Sequence, residues 1–124
     1  MKMKLFWIIT CILLPVIAEG MNWVKVTGVD NFYLDIKSIK HVGPAQYAAW
    51  SKIEFKEYAS IKEVRIHSLH HCVERKVKEL QGILYYNDGT IHYEGERDWH
   101  YVIPNSNYEK ILNLVCSYKN GLDI

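Results

Sequence analysis

The fold is decided by the stretch 104–118, PNSNYEKILNLVCSY, because it predicts a helix that packs against a core. Ser106 is a good N-cap, and Glu109 three residues later completes a capping box. Several residues of the stretch have helical spacing and would form one buried stripe. They are Tyr108, Ile111, Leu112, Val115 and Cys116. We therefore predict a C-terminal helix over about residues 106–118.

The cysteine in this stripe has a single partner available if the chain is exported. Of the three cysteines, Cys11 would leave with the leader described next, and two would remain in an oxidising compartment. We therefore predict a disulfide between Cys72 and Cys116. In the chain-entropy view, closing a loop of this size stabilises the domain by roughly 4 kcal/mol. The alternative is a pair of free buried thiols.

The first twenty residues have the three-part pattern of a secretory signal. Lys2 and Lys4 give a positive start, and the stretch 5–18 is largely apolar and ends in small residues. This stretch is shorter than the ~20 residues that a membrane-spanning helix needs. We predict a signal peptide over 1–20, a mature domain over 21–124 and no stable membrane span after cleavage. An uncleaved anchor is the alternative.

Alternation of apolar and polar residues predicts that most of the mature chain is β-strand. The predicted strands cover residues 23–26, 32–36, 46–55, 64–72, most of 73–86, 90–94 and 99–102. Residues 38–42 fit either a helical turn or a short strand. Residues 73–80 have helical spacing, whereas 83–86 have the pattern of a strand and are followed by a tight turn at 87–89. We favour a strand over most of 73–86, with a bulge near Gly82. The expected fold is α+β, with a mostly antiparallel sheet of about six strands and the C-terminal helix tethered to it by the disulfide.

The sequence contains no pattern typical of catalysis, of a metal site or of nucleic-acid binding. His70 and His71 lie beside Cys72, but adjacent residues of a strand point to opposite faces and do not build a zinc site. No Gly-x-Ser-x-Gly elbow and no phosphate-binding loop occur. The full chain has 15 basic and 14 acidic residues, and two of the lysines would be lost with the leader. The mature protein would then have a net charge of about −1 or 0, which gives no excess of basic residues to bind nucleic acid. We expect no enzymatic activity, no metal and no cofactor.

Aromatic residues on the later strands are the candidate binding residues. They are Tyr85, Tyr86, Tyr93, Trp99 and Tyr101. Tyr85 and Tyr86 are adjacent and cannot face the same side of a strand, so at least one approaches the surface or an interface. Tyrosine and tryptophan are enriched at protein–protein contacts, so the set is a candidate surface for protein partners or for a homodimer. Ordinary core and rim packing is the alternative.

A set of residues spread over the whole mature chain has the order and spacing of a known family. They are Trp23, 25–26, 33–39, Trp50, Cys72, 85–86, Gly89, Trp99, 102–106 and Cys116. In this order they resemble the surface-adhesin protein E family of Gram-negative bacteria. The resemblance implies an antiparallel sheet of about six strands, similar to a PAS-like sheet, and Cys72 and Cys116 match its bridging positions. It also implies homodimers and, for the namesake adhesin, binding of host extracellular-matrix proteins.

Two features depart from the pattern of that family. Thr10 stands before Cys11 where a lipoprotein signal has a small residue, and Cys11 lies inside the apolar stretch, so lipid anchoring is not predicted. Asn105 stands where glycine is expected, and asparagine accepts left-handed backbone geometry.

The resulting functional prediction is an exported, non-enzymatic, adhesin-like protein of the periplasm, the cell surface or the extracellular space. One alternative is a periplasmic PAS-like module that senses a small ligand. An apolar pocket of a few hundred Å³ between sheet and helix would favour it. A structural envelope protein that works as a homodimer is the other alternative.

Overall fold

The structure is a computed structural model that describes residues 21–56 and 59–122. The predicted signal peptide over 1–20 lies outside this part of the chain. The described residues form seven strands and one helix. The elements are β1 (Trp23–Lys25), β2 (Phe32–Gly43), β3 (Gln46–Glu54), β4 (Ile61–His71), β5 (Lys76–Tyr86), β6 (Ile91–Glu94), β7 (His100–Tyr101) and α1 (Asn107–Leu122).

All seven strands belong to one antiparallel sheet. Six of them follow each other in chain order from β1 to β6, because short connections place each strand beside its predecessor. The last strand, β7, pairs with residues 76–77 of β5, and β6 pairs with residues 82–85, so both lie on the same edge of β5. The predicted antiparallel sheet with a C-terminal helix is therefore confirmed, with one short strand more than the expected six.

Residues 38–42, which fit either a helical turn or a short strand, continue strand β2. The pairing of β2 with β3 shifts register between Asp35 and Lys40. At this bulge the Ser38 hydroxyl donates to the Asp35 carbonyl at 2.7 Å and accepts from the Trp50 N–H at 2.8 Å. A side chain thus replaces a ladder hydrogen bond, and the bulge interrupts the alternation on which the sequence prediction depended.

Strand β5 confirms the predicted strand over most of residues 73–86. The bulge in this strand, however, does not lie at the predicted position near Gly82. Glu79 pairs with Ser68 and Gln81 pairs with His67, so the extra residue is Leu80 and not Gly82. Gly82 has a different reason to be glycine, because a Cβ there would lie 3.3 Å from the Cβ of Glu94 on the neighbouring strand.

The helix begins one residue after the predicted cap and continues to Leu122, four residues beyond the predicted end. The Ser106 hydroxyl accepts the Glu109 N–H at 3.3 Å, as predicted for the N-cap. The returning bond of the capping box is displaced, because the Glu109 carboxylate accepts the N–H of Asn105 at 2.7 Å instead of that of Ser106. Asn105 has a φ of +67°, the left-handed geometry that asparagine tolerates.

The core lies where α1 packs on β2 and β3. Its buried residues are Val26, Val29, Leu34, Ile39, Ala49, Ile111 and Val115. The predicted disulfide is present and joins Cys72, after β4, to Cys116 on the inner side of α1, with a Cα–Cα distance of 5.8 Å. Across residues 21–56 and 59–122, no helix combines the length and the apolar character needed to cross a membrane.

Candidate binding surfaces

The side of the sheet opposite α1 carries a continuous set of aromatic and basic side chains, and we call it the open face. No element of the described chain packs over it. Because side chains alternate along each strand, the register places these residues together. They are Trp23, Tyr33, Trp50, Lys52, Arg65, His67 and Tyr85.

Cations of two central strands hold the rings of the open face in place. The Lys52 ammonium lies 4.7 Å from the ring centroid of Trp23 and 5.3 Å from that of Tyr33. The Arg65 guanidinium carbon lies 5.5 Å from the Trp23 ring and 5.4 Å from the Tyr85 ring. Each such contact stabilises by about 0.5–1 kcal/mol at an exposed site. These contacts restrict the orientations of the rings in the absence of a partner.

Trp50 and His67 form a stacked pair at the centre of the open face. Their ring centroids are 4.8 Å apart, and the ring planes differ by 7°. Burial, and secondly the charge of Lys40, lowers the pKa of His67, which favours a neutral imidazole in the stack. The pair borders a shallow groove of about 480 Å³ whose floor includes Ala48 and the buried Asp35.

The five aromatic residues that the sequence predicted as a binding surface lie on two different sides of the sheet. Four lie on the open face towards the β6–β7 edge: Tyr85, Tyr93, Trp99 and Tyr101. Tyr93 and Tyr101 are strongly exposed, at 63% and 71%. Tyr86 follows Tyr85 in β5 and therefore points to the helix side.

Sequence reasoning missed the central residues Trp23, Lys52 and Arg65. Their contacts depend on the pairing register of β1, β3 and β4, which a single sequence does not provide. The sequence did contain one signal. Trp50 and Lys52 are two residues apart in one strand, as are Arg65 and His67 in the next, so each pair shares a side of its strand.

On the helix side, α1 leaves part of the sheet bare and forms a second surface, which we call the hollow. Its floor consists of half-buried apolar side chains, and the first turns of α1 form one wall. The floor residues are Phe32, Ile53, Val64, Ile66 and Leu84, and the wall residues are Tyr108 and Ile111. The hollow comprises two adjoining spaces of about 280 and 160 Å³.

A carboxylate closes one end of the hollow. The Glu79 side chain is only 12% exposed, and its two oxygens lie 3.0 and 3.1 Å from His100 Nε2. Tyr108 lies beside it: burial first, and then the charge of Glu79, raises the pKa of the Tyr108 hydroxyl. Glu94 and Arg97 line the same end. Within the described residues, no lysine or arginine nitrogen lies within 4.0 Å of the Glu79 carboxylate.

His70 lies buried on the helix side of β4, whereas His71 contacts the ring of Trp99 on the other side. Burial lowers the pKa of His70 to about 4, although a contact to the Tyr47 carbonyl oxygen, at 3.4 Å, opposes the shift. The two histidines thus separate as the alternation predicts. Within the described ranges, no three histidine, cysteine or acidic side chains are grouped so that they could hold a metal ion.

Several solved proteins have a similar fold. Crystal form II of Haemophilus influenzae protein E superposes with a TM-score of 0.61 at 13% identity, covering 80% of this chain and 88% of that one. Protein E from non-typeable Haemophilus influenzae superposes with a TM-score of 0.59 at 15% identity, covering 85% and 82%. At such identities the likeness shows the fold alone. No curated protein matches the sequence.

The family follows from the sequence. The model of the family described as surface-adhesin protein E matches residues 23–117. The chain belongs to the surface-adhesin protein E family, as its sequence resemblance predicted. Membership indicates an adhesin-like protein that is exported or lies at the cell surface.

Proposed function

We propose that this chain is a non-enzymatic adhesin-like protein that binds other proteins, among them host extracellular-matrix proteins, through its open face. In this proposal residues 1–20 are a cleaved signal peptide, and the mature protein acts in the periplasm, at the cell surface or outside the cell. Mass analysis of the mature N-terminus from fractionated cells tests the cleavage and the compartment together.

The observation that carries the proposal is the concentration of pre-ordered rings on one bare surface. All three tryptophans of residues 21–124 lie there: Trp23 and Trp50 at its centre, and Trp99 beside Lys76, whose ammonium is 5.2 Å from the ring. Tryptophan, tyrosine and arginine are the residues that most often dominate binding energy at protein interfaces. Rings already fixed by cation–π contacts lose little freedom on binding.

The test uses purified mature protein on surfaces coated with laminin or vitronectin. We expect saturable binding at micromolar concentration. Tyr85→Thr removes an open-face ring, and we expect it to weaken binding by about tenfold, which corresponds to 1.4 kcal/mol.

Tyr86→Thr is the matched control, because Tyr86 is the same residue type, adjacent in β5 and on the other side of the sheet. It should bind like the unmodified protein. Absence of saturable binding would refute the matrix-binding proposal. Equal loss in both variants would refute the assignment to the open face.

We further propose a homodimer contact at the outer edge of the open face. Ile91, Tyr93 and Tyr101 are 49%, 63% and 71% exposed along β6 and β7. Exposed apolar edge strands favour pairing with another chain. Sedimentation equilibrium should give a mass that rises with concentration, and Tyr93→Lys should keep the protein monomeric. A monomeric mass at all concentrations would refute this contact.

A second candidate function is the binding of a small ligand, and the hollow specifically favours it. An apolar space of a few hundred Å³ between sheet and helix was the feature expected of such a module, and Ile66 and Tyr108 border both of its compartments. Ligand sites are typically concave and apolar, with a few polar groups at defined positions. The PAS-like comparison belongs to this candidate and stays a prediction.

A further inference from the structure

We propose that the hollow binds an organic cation with an apolar chain, and that the Glu79 carboxylate holds its ammonium group. The inference rests on the second candidate function, ligand binding in the hollow, and names the class of ligand. The apolar chain would lie on the bare strands, and the charged head would lie at the end closed by Glu79.

The floor of the hollow matches an extended apolar chain. Ile53 pairs with Val64, and Val64 pairs with Leu84, so three apolar side chains form a row across β3, β4 and β5. Ile66 lies in the next row, opposite Gly82. Because Gly82 has no side chain, the floor stays low where it meets the polar end. An alkyl chain in this position would cover apolar surface that no described part of the molecule covers.

The charges at the polar end favour a cation. Glu79 is largely desolvated, and among the described side chains the one that hydrogen-bonds to its carboxylate is the imidazole of His100, which leaves acceptor positions of the carboxylate unused. A second carboxylate, Glu94, lines the same end, and one of its oxygens lies 3.0 Å from His92 Nε2. A desolvated carboxylate gains most from an ion pair that is itself shielded from water.

Among the described residues that line this end, Arg97 is the single lysine or arginine, and it does not reverse the preference. Its side chain is exposed, so water and salt screen its charge more than they screen that of Glu79. Because Glu79 and Glu94 line the same space, an anionic head group beside Arg97 would also lie near two carboxylates. The geometry therefore selects an ammonium over a carboxylate.

The test compares three probes with the same chain and different heads: octylamine, octanol and octanoate, each below its self-association concentration. Binding to the exported chain is followed by the methyl resonances of Ile53, Val64, Ile66 and Leu84. We expect octylamine to shift these resonances and to bind at least about tenfold more tightly than octanoate. Octanol should fall between them.

Glu79→Gln tests the role of the carboxylate, since it keeps the shape and removes the charge. It should reduce octylamine binding by about tenfold and leave octanol binding unchanged, which also reports that the variant is folded. Glu74→Gln is the matched control, because Glu74 is an exposed carboxylate paired with Lys76 away from the hollow. It should bind all three probes like the unmodified chain.

The outcomes distinguish ligand binding in the hollow from the preference for a cationic ligand. Equal affinities for the three heads, with the shifts still on the floor methyls, would overturn the cationic ligand and keep ligand binding in the hollow. No shift with any probe would overturn both. An unchanged preference for octylamine in Glu79→Gln would overturn the role of Glu79.

Discussion

The helix side of the sheet has two halves that look alike in sequence and differ in what covers them. Under α1, Leu34 and Ala49 are buried at 0% and 1% exposure. Further along the same side, Val64 and Ile66 alternate with the charged and polar residues of β4, yet together with Leu84 they form the half-exposed floor of the hollow. Alternation therefore predicts which side of a strand is apolar, but it does not predict whether anything packs on that side.

The position of the helix causes the difference. The Cys72–Cys116 bond ties α1 to the end of β4, and the Lys110 ammonium donates to the Gly28 carbonyl at 3.2 Å before β2. These anchors keep the helix over β2 and β3, where Leu112 and Val115 are fully buried. The first half is thus the closed core, and the second half is left uncovered by any described part of the chain.

The largest expected effect comes from removing the disulfide that sets this arrangement. We expect Cys72→Ser with Cys116→Ser to lower the free energy of unfolding by about 4 kcal/mol, because the unfolded chain regains the entropy of a loop with a sequence separation of 44. Urea unfolding measures the change. Reduced unmodified protein should match the double variant, and a loss under about 1 kcal/mol would show that other contacts hold the helix.

A pair of leucine substitutions compares the two halves directly. Leu112→Ala leaves a cavity in the closed core and should lower the free energy of unfolding by roughly 2–5 kcal/mol. Leu84→Ala removes a side chain that is already half-exposed and should lower it by about 1 kcal/mol. Equal losses in urea unfolding would mean that the hollow is packed as tightly as the core.

A buried histidine on the helix side of β4, His70, makes stability depend on pH. The pKa of His70 is lowered from 6.5 to about 4 by burial, so the unfolded chain takes up a proton near pH 6.5 and the folded chain only near pH 4. The folded state should therefore lose roughly 3 kcal/mol as the pH falls from 6.5 to 4, and this histidine should add no change above that range. His70→Gln should flatten the urea-unfolding profile between these limits; an unchanged slope would assign the effect to other groups.

The parts of the fold that depend on local signals were predictable from the sequence. Ser106 and its stripe of apolar residues predicted α1, and cysteine counting predicted the disulfide. The length of β2 was not predictable, because the Ser38 hydroxyl replaces a backbone partner at the bulge and breaks the alternation. The bulge in β5 was placed near Gly82 and lies at Leu80, because the close approach of Glu94 explains that glycine instead.

The binding surfaces were predictable only in part, for a related reason. Tyr85, Tyr93, Trp99 and Tyr101 were identified by residue type, and they share the open face. Their connection to Trp23 through Arg65 depends on strand register, which is a property of the assembled sheet. The hollow depends on where a helix anchored at Cys72 comes to lie, and no local pattern encodes that position.

The most direct test of the account is to measure how far solvent reaches the two halves of the sheet. A soluble paramagnetic probe added to methyl-labelled protein should strongly relax the methyl groups of Val64, Ile66 and Leu84. It should leave those of Leu112 and Val115 nearly unaffected, since both are fully buried. Equal protection of both sets would contradict the account, because another part of the chain would then fill the hollow.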